Sequence, residues 1–233
     1  MRLTGLGQLA LALLASCVYA AGARAALVTA DDVGTYFPNI RGTAASHNPH
    51  LDFYLAGEGI GILPEARNFF VFDLSSFDRQ VAAAALHLSM PRHGYLSVDD
   101  TETFSLFDVD TEISMLTAGG RGAHLLGVFA DLGSGASYGS VVLGEGDEKT
   151  TISIDLSAGA LVGLTAALGG KFAIGGAVTS IGNPLRYQLT FALAKGADNV
   201  QLELTFVPLP GAAWLFVSGL VLIALRAWRV RGR

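Results

Sequence analysis

A single cysteine, Cys17, is all the thiol this sequence holds, and it lies inside an apolar N-terminal run. If that run is removed, a disulfide frame, a thiolate nucleophile and a cysteine-ligated metal are all excluded. Positive charge is scarce in the central part of the chain. Of 15 basic residues, Arg2 and Arg24 precede Ala25, and Arg226, Arg229, Arg231 and Arg233 follow Val207. That leaves nine bases against all 20 acids between them, a net of −11. Such a domain repels a phosphate backbone, so neither nucleic-acid binding nor direct docking on anionic lipid is expected.

Catalytic and metal-binding sets are also thin. Gly135-Ala136-Ser137-Tyr138-Gly139 fits the G-x-S-x-G nucleophile elbow, but a strand-like Ser140–Leu143 run follows where a helix is required. The last histidine, His124, also precedes Ser137, the reverse of the order that motif needs. His47-Asn48-Pro49-His50 offers two imidazoles in a turn without a dense ligand set, so no metal is expected there. His87, between Leu86 and Leu88, should point to the opposite face, toward solvent. Asp31-Asp32, Asp99-Asp100 and Asp108-x-Asp110 read as solvated surface, with a weak extracellular calcium site as the open alternative; the EF-hand pattern is absent. No pair of carboxylates is marked for glycoside hydrolysis, and Gly169-Gly170-Lys171 lacks the rest of a P-loop. No catalytic residue and no cofactor are expected.

Both chain ends carry signals. Arg2 followed by the apolar run Leu6–Val18 has the length of a secretory signal core, and Ala23-Arg24-Ala25 has the small-x-small form a signal peptidase reads. Cleavage is expected after Ala25; the rival reading takes Leu14-Ala15-Ser16-Cys17 as a lipoprotein box with Cys17 lipidated. At the other end, the 22 residues from Val207 to Trp228 would extend ~33 Å as a helix, against a ~30 Å hydrocarbon core. The arginines Arg226, Arg229, Arg231 and Arg233 would stop transfer and stay cytoplasmic. The two ends imply one topology: domain outside, arginines inside.

Val207-Pro208-Leu209-Pro210, an apolar stretch with Trp214 near its start, and a terminal arginine cluster together resemble the PEP-CTERM sorting signal of bacterial surface proteins. The resemblance covers residues 207–233, with Leu209 where the usual motif has Glu. It implies export, retention in the inner membrane, and processing by an exosortase, in bacteria that make exopolysaccharide and biofilm. The prolines prevent helix from running back into the domain and hold an extended segment a peptidase could bind.

Between the ends, strict alternation marks half-buried antiparallel strands at Ile152–Leu156, Tyr187–Leu193 and Val200–Phe206. Asn68–Phe72 is apolar on both faces and reads as a central strand. Ala85–Met90 and Thr103–Val109 supply two more, and Leu27–Tyr36 and Leu51–Leu55 are weaker candidates. One helix is expected, capped by Ser157, with Leu161, Leu164 and Leu168 on one face and Gly169-Gly170 as its stop. It should plug one end of the fold.

The expected fold is therefore all-β: an antiparallel sandwich or jelly roll with one short helix. Residues 1–25 are the signal peptide, 26–206 the extracytoplasmic domain and 207–233 the sorting signal with its transmembrane helix. Arg67–Met90, with its Phe-Asp-Leu-Ser turn, also resembles the opening strands of jelly-roll surface modules of the DNRLRE group, which are similar to carbohydrate-binding domains. The expected function is that of a non-enzymatic, exported surface or matrix protein; association with exopolysaccharide is what the sorting-signal resemblance implies. The alternatives are a secreted hydrolase of polysaccharide or peptide, and a structural spacer.

Overall fold

Apolar and polar residues alternate through Val200–Phe206, and in the computed structural model Val200, Leu202, Leu204 and Phe206 are buried while the residues between them are not. The structure describes residues 25–59, 64–182 and 186–207. Over those residues it is mostly β. In chain order the strands are β1 (Ala25–Thr29), β2 (Asp32–Pro38), β3 (Ala45–His47), β4 (Ala56–Glu58), β5 (Arg67–Asp73), β6 (Val81–Ser89) and β7 (Leu96–Ser97). They continue with β8 (Thr101–Phe107), β9 (Gly120–Gly122), β10 (Ser137–Gly144), β11 (Thr151–Asp155), β12 (Lys171–Val178), β13 (Gln188–Thr190) and β14 (Val200–Phe206). Ala25–Thr205 forms one compact unit.

The strands form three sheets, ordered β1-β14-β6-β11, β10-β8-β12-β5-β2-β3-β9 and β4-β13-β7. Neighbours such as β12 and β5, or β10 and β8, run antiparallel. β5 lies between β12 and β2 and is buried on both faces, as the unbroken apolar run Asn68–Phe72 requires. On one face Phe70 meets the Tyr54 ring at 5.9 Å, and the Tyr54 hydroxyl donates to the Ser89 carbonyl of β6 at 2.9 Å. One tyrosine thus ties the seven-stranded sheet to the four-stranded one. Phe191 packs against Tyr54 and Phe104, with ring centroids 6.0 and 5.0 Å away, so aromatic area fills the gap in this sandwich-like arrangement.

The other face of β5 is covered by helices, where the sequence reading expected none. α1 (Ile113–Ala118) and α2 (Leu125–Asp131) lay Leu116, Val128 and Phe129 over Tyr36, Phe69, Val71 and Ala173. The Tyr36 hydroxyl donates to the Leu116 carbonyl at 2.8 Å, and the Arg67 guanidinium stacks 4.4 Å above the Phe129 ring. Burial pushes the Tyr36 phenol up to about 12, so it stays a donor throughout the ordinary pH range.

The helix expected after Ser157 is α3 (Ala158–Ala166). Ser157 accepts from the Ala160 amide at 3.4 Å, and Gly169 takes the left-handed φ of +81° that ends the segment. α3 packs on β6 and β10, and Gly163 makes room for Tyr138, whose Oη would lie 2.7 Å from a Cβ there.

Three expectations need correction. The described residues hold three α-helices rather than one. Leu51–Leu55 forms no strand; Phe53 makes a single bridge to Lys195. Alternation over Tyr187–Leu193 stops early, because Phe191 and Leu193 adopt φ of 54° and 61°, which no strand accommodates.

Candidate functional site

The β8–β10 pairing builds the most chemically distinctive cleft. Thr101 pairs with Gly144, so the residues just before β8 meet those just after β10 at one end of the sheet. Asp99 and Asp100 come from the first segment, Glu145 and Glu148 from the second. β7 pairs with β13, and the Val98 amide donates to the Tyr187 carbonyl at 3.2 Å, which brings Tyr187 to the same rim. The resulting cleft, of about 560 Å³, is lined by these four acids together with His93, Tyr95, Leu96, Ser97, Val98 and Tyr187. Leu96 and Tyr187 remain 41% and 42% exposed, an apolar edge beside the carboxylates.

A buried polar network underlies it. Glu102 and Gln188 are each 1% exposed. Glu102 accepts from Ser97 Oγ at 2.6 Å, from Gln188 Nε2 at 3.2 Å and from Ser180 Oγ. Gln188 Nε2 also donates to Asp99 Oδ2 at 2.8 Å, while its Oε1 accepts from the Gly182 amide at 3.1 Å. A buried carboxylate is tolerated when donors converge on it, and here three do. Tyr95 donates to the Asp99 carbonyl at 2.7 Å. Burial, and then the nearby Glu102, Asp99 and Asp100, push its phenol above the usual range. The loop is therefore pinned from below, so Asp99 and Asp100 are presented on a fixed base.

Chemically the cleft can hydrogen-bond hydroxyls through its carboxylates and stack the C–H face of a sugar on its apolar edge. Carboxylates on two facing segments are also the minimal equipment for glycoside hydrolysis. Sequence reasoning saw Asp99-Asp100 as surface and did not connect them to Glu145 and Glu148. The Gly-rich turn at Gly144–Asp147 was the available signal, since it closes the strand that pairs with β8.

The other sequence candidates fall elsewhere. Ser137 opens β10, so a strand and not a helix follows it, and it is exposed. His47 is 5% exposed and stacks on Tyr36 at 4.9 Å, with Nδ1 3.1 Å from the Thr35 carbonyl. Burial holds its pKa below the ordinary value. His50, three residues on, is exposed, so the two imidazoles are not presented together. His87 does lie opposite Leu86 and Leu88, but its Nε2 is 3.0 Å from Glu203 Oε2 rather than free in solvent. Asp31 pairs with Lys171, and Asp108 Oδ1 accepts from the Ala136 amide at 2.6 Å. Among the described residues no group of three or more His, Cys, Asp or Glu side chains is placed to hold a metal ion.

Of the sorting residues, Val207 is described and exposed at the end of β14. Pro208, Leu209, Pro210, Arg226, Arg229, Arg231 and Arg233 lie outside the described residues, as does Ala23, while Ala25 is the first residue of β1. Among the described residues no helix is long and apolar enough to cross a membrane. No protein-family model and no curated protein matches the chain.

Proposed function

We propose that this chain is an exported, non-enzymatic surface or matrix protein, tethered and sorted through a PEP-CTERM-like tail. In this reading residues 1–25 direct export and cleavage uses Ala23 and Ala25. Val207, Pro208, Leu209 and Pro210 form the hook an exosortase binds. Residues to Trp228 span the inner membrane, and Arg226, Arg229, Arg231 and Arg233 hold its cytoplasmic end. The domain between is a jelly-roll sandwich that meets exopolysaccharide at the cell surface, with no nucleic-acid partner and no obligatory cofactor.

The register of the terminal strands is the observation that carries this reading. Ala25 pairs with Thr205, and Ala26 with Leu204. The junctions to both apolar chain ends therefore leave the four-stranded sheet at the same end. With the signal cleaved after Ala25 the Ala26–Leu204 pairing remains, and β14 closes at Phe206 with Val207 exposed, so the folded sheet is complete before the hook begins in the sequence. Deleting residues 208–233 tests it: the domain should appear in the culture medium, and continued retention in the membrane fraction would refute the tether.

A second reading is favoured by one observation, the four carboxylates around the Tyr95–Tyr187 cleft. A hydrolase there would release reducing ends from a polysaccharide and lose that activity in Glu145→Gln or Glu148→Gln. The non-enzymatic reading rests on the sequence, which marks no nucleophile–base set, and on Asp99, one of the four, being engaged by Gln188.

A further inference from the structure

A second concave region carries the opposite charge. Phe37 pairs with Ser46 and Ser46 with Arg121, so the three form a row across β2, β3 and β9. Residues directly opposite in a sheet project to one face. Here it is the face turned away from Tyr36 and Ala45, which pack under the helices. Two clefts open along that row, of about 590 and 560 Å³, and Phe37, Ser46 and Arg121 line both. Each volume falls in the range of small-ligand sites, ~300–1,000 Å³. Arg41 lines the first cleft, and Leu51 and Phe53 line the second.

Charge sets this pair of clefts apart from the acidic one: Arg41 and Arg121 line them and carboxylates do not. All 20 side-chain carboxylates lie in described stretches, yet none lines either cleft. Two other cations of the domain are matched, Arg67 with Glu65 and Lys171 with Asp31. Among the described residues no carboxylate forms an ion pair with Arg41 or Arg121, and both are exposed. Two guanidinium groups beside adjoining clefts that no carboxylate lines give this face a positive lining in a strongly acidic domain, complementary to an anionic ligand. Guanidinium forks match carboxylates in bidentate geometry, and an aromatic wall suits the C–H face of a sugar ring. Two contiguous lobes with a shared wall suit a repeating chain.

We propose that the Phe37–Ser46–Arg121 face binds a carboxylate-bearing polysaccharide. Arg41 and Arg121 hold the uronate carboxylates, Phe37 and Leu51 pack beneath the rings, and Ser46 meets hydroxyls. This deepens the surface-polysaccharide reading and rests on it for access to such a polymer.

The test is calorimetric titration of the full chain in detergent with hexagalacturonate, with a neutral gluco-hexamer and with polyglutamate of matched charge. Hexagalacturonate should bind, more weakly as salt rises, with the neutral hexamer and polyglutamate at least tenfold weaker. Arg41→Gln and Arg121→Gln should each lower affinity about tenfold, the scale of one charge-assisted contact. Arg92→Gln, exposed elsewhere, should leave it unchanged. Absence of hexagalacturonate binding, equal binding of the neutral hexamer or of polyglutamate, or unaltered affinity in the Arg41→Gln/Arg121→Gln double variant would each overturn the proposal. None of these results bears on membrane tethering, which the tail deletion reads separately.

Discussion

His47 should make the domain acid-sensitive in a defined window. Its ring stacks on Tyr36, meets Phe69 edge-on at 5.1 Å, and fills the space over Gly34, where a Cβ would overlap it. Nδ1 lies 3.1 Å from the Thr35 carbonyl, and Nε2 is buried with no partner. Protonation would place a charge among three aromatic or apolar walls with one donor unmet, so burial lowers the pKa from 6.5 despite the favourable Thr35 contact. With the folded pKa depressed, the contribution is fully present above pH 6.5. As pH falls below that value the unfolded chain takes up a proton that the folded chain does not, and stability is lost until the folded pKa is reached. One proton limits the slope to ~1.4 kcal/mol per pH unit, and the loss between about pH 8 and about pH 5 to ~2 kcal/mol. Urea midpoints followed by circular dichroism, for the parent and for His47→Leu, isolate this contribution because every other group titrates in both. The parent should lose stability more steeply between about pH 6.5 and about pH 5. Parallel profiles for the two proteins would refute the reasoning.

Phe70→Ala, which empties the contact with Tyr54 between the sheets, should cost ~3–5 kcal/mol in the same denaturation assay. Ser157→Ala removes the cap of α3 and the hydroxyl's bond to the Ser137 carbonyl and should cost ~1 kcal/mol, with Ser157→Thr, which keeps both the acceptor and the donor, restoring most of it. Gln188→Leu strips Glu102 and Asp99 of a shared donor and should cost ~1–3 kcal/mol, with faster amide exchange at the Gly182 amide that Gln188 also binds.

What could be read beforehand follows the range of the interaction responsible. β14 and β11 were legible because one face meets the core and the other meets solvent, so burial imposes period two on neighbouring residues. β5 was legible as a central strand for the opposite reason, having no solvent face at all. α3 announced itself through Ser157 and Gly169, which act within a few residues of the helix they bound. α1 and α2 did not. They have six and seven residues, lack a side-chain cap, and are held by Tyr36, Phe69 and Val71 from far along the chain. Phe191 and Leu193 kept an alternating pattern while their backbone turned left-handed, since composition alone does not report φ. Both concave sites lay beyond sequence reading for the same reason. Asp99 and Glu145 meet through the Thr101–Gly144 register, and Phe37 joins Arg121 through Ser46, which no local pattern encodes.

The most direct measurement of the central claim uses two reporter fusions that are active only outside the cytoplasm, one after Phe206 and one after Arg233. Alkaline phosphatase joined at Phe206 should be active, and the same enzyme joined at Arg233 should be inactive, because the proposed span between would carry the chain back to the cytoplasmic face. Inactivity at both positions would mean that the domain never leaves the cytoplasm, and activity at both would mean that the tail does not anchor it.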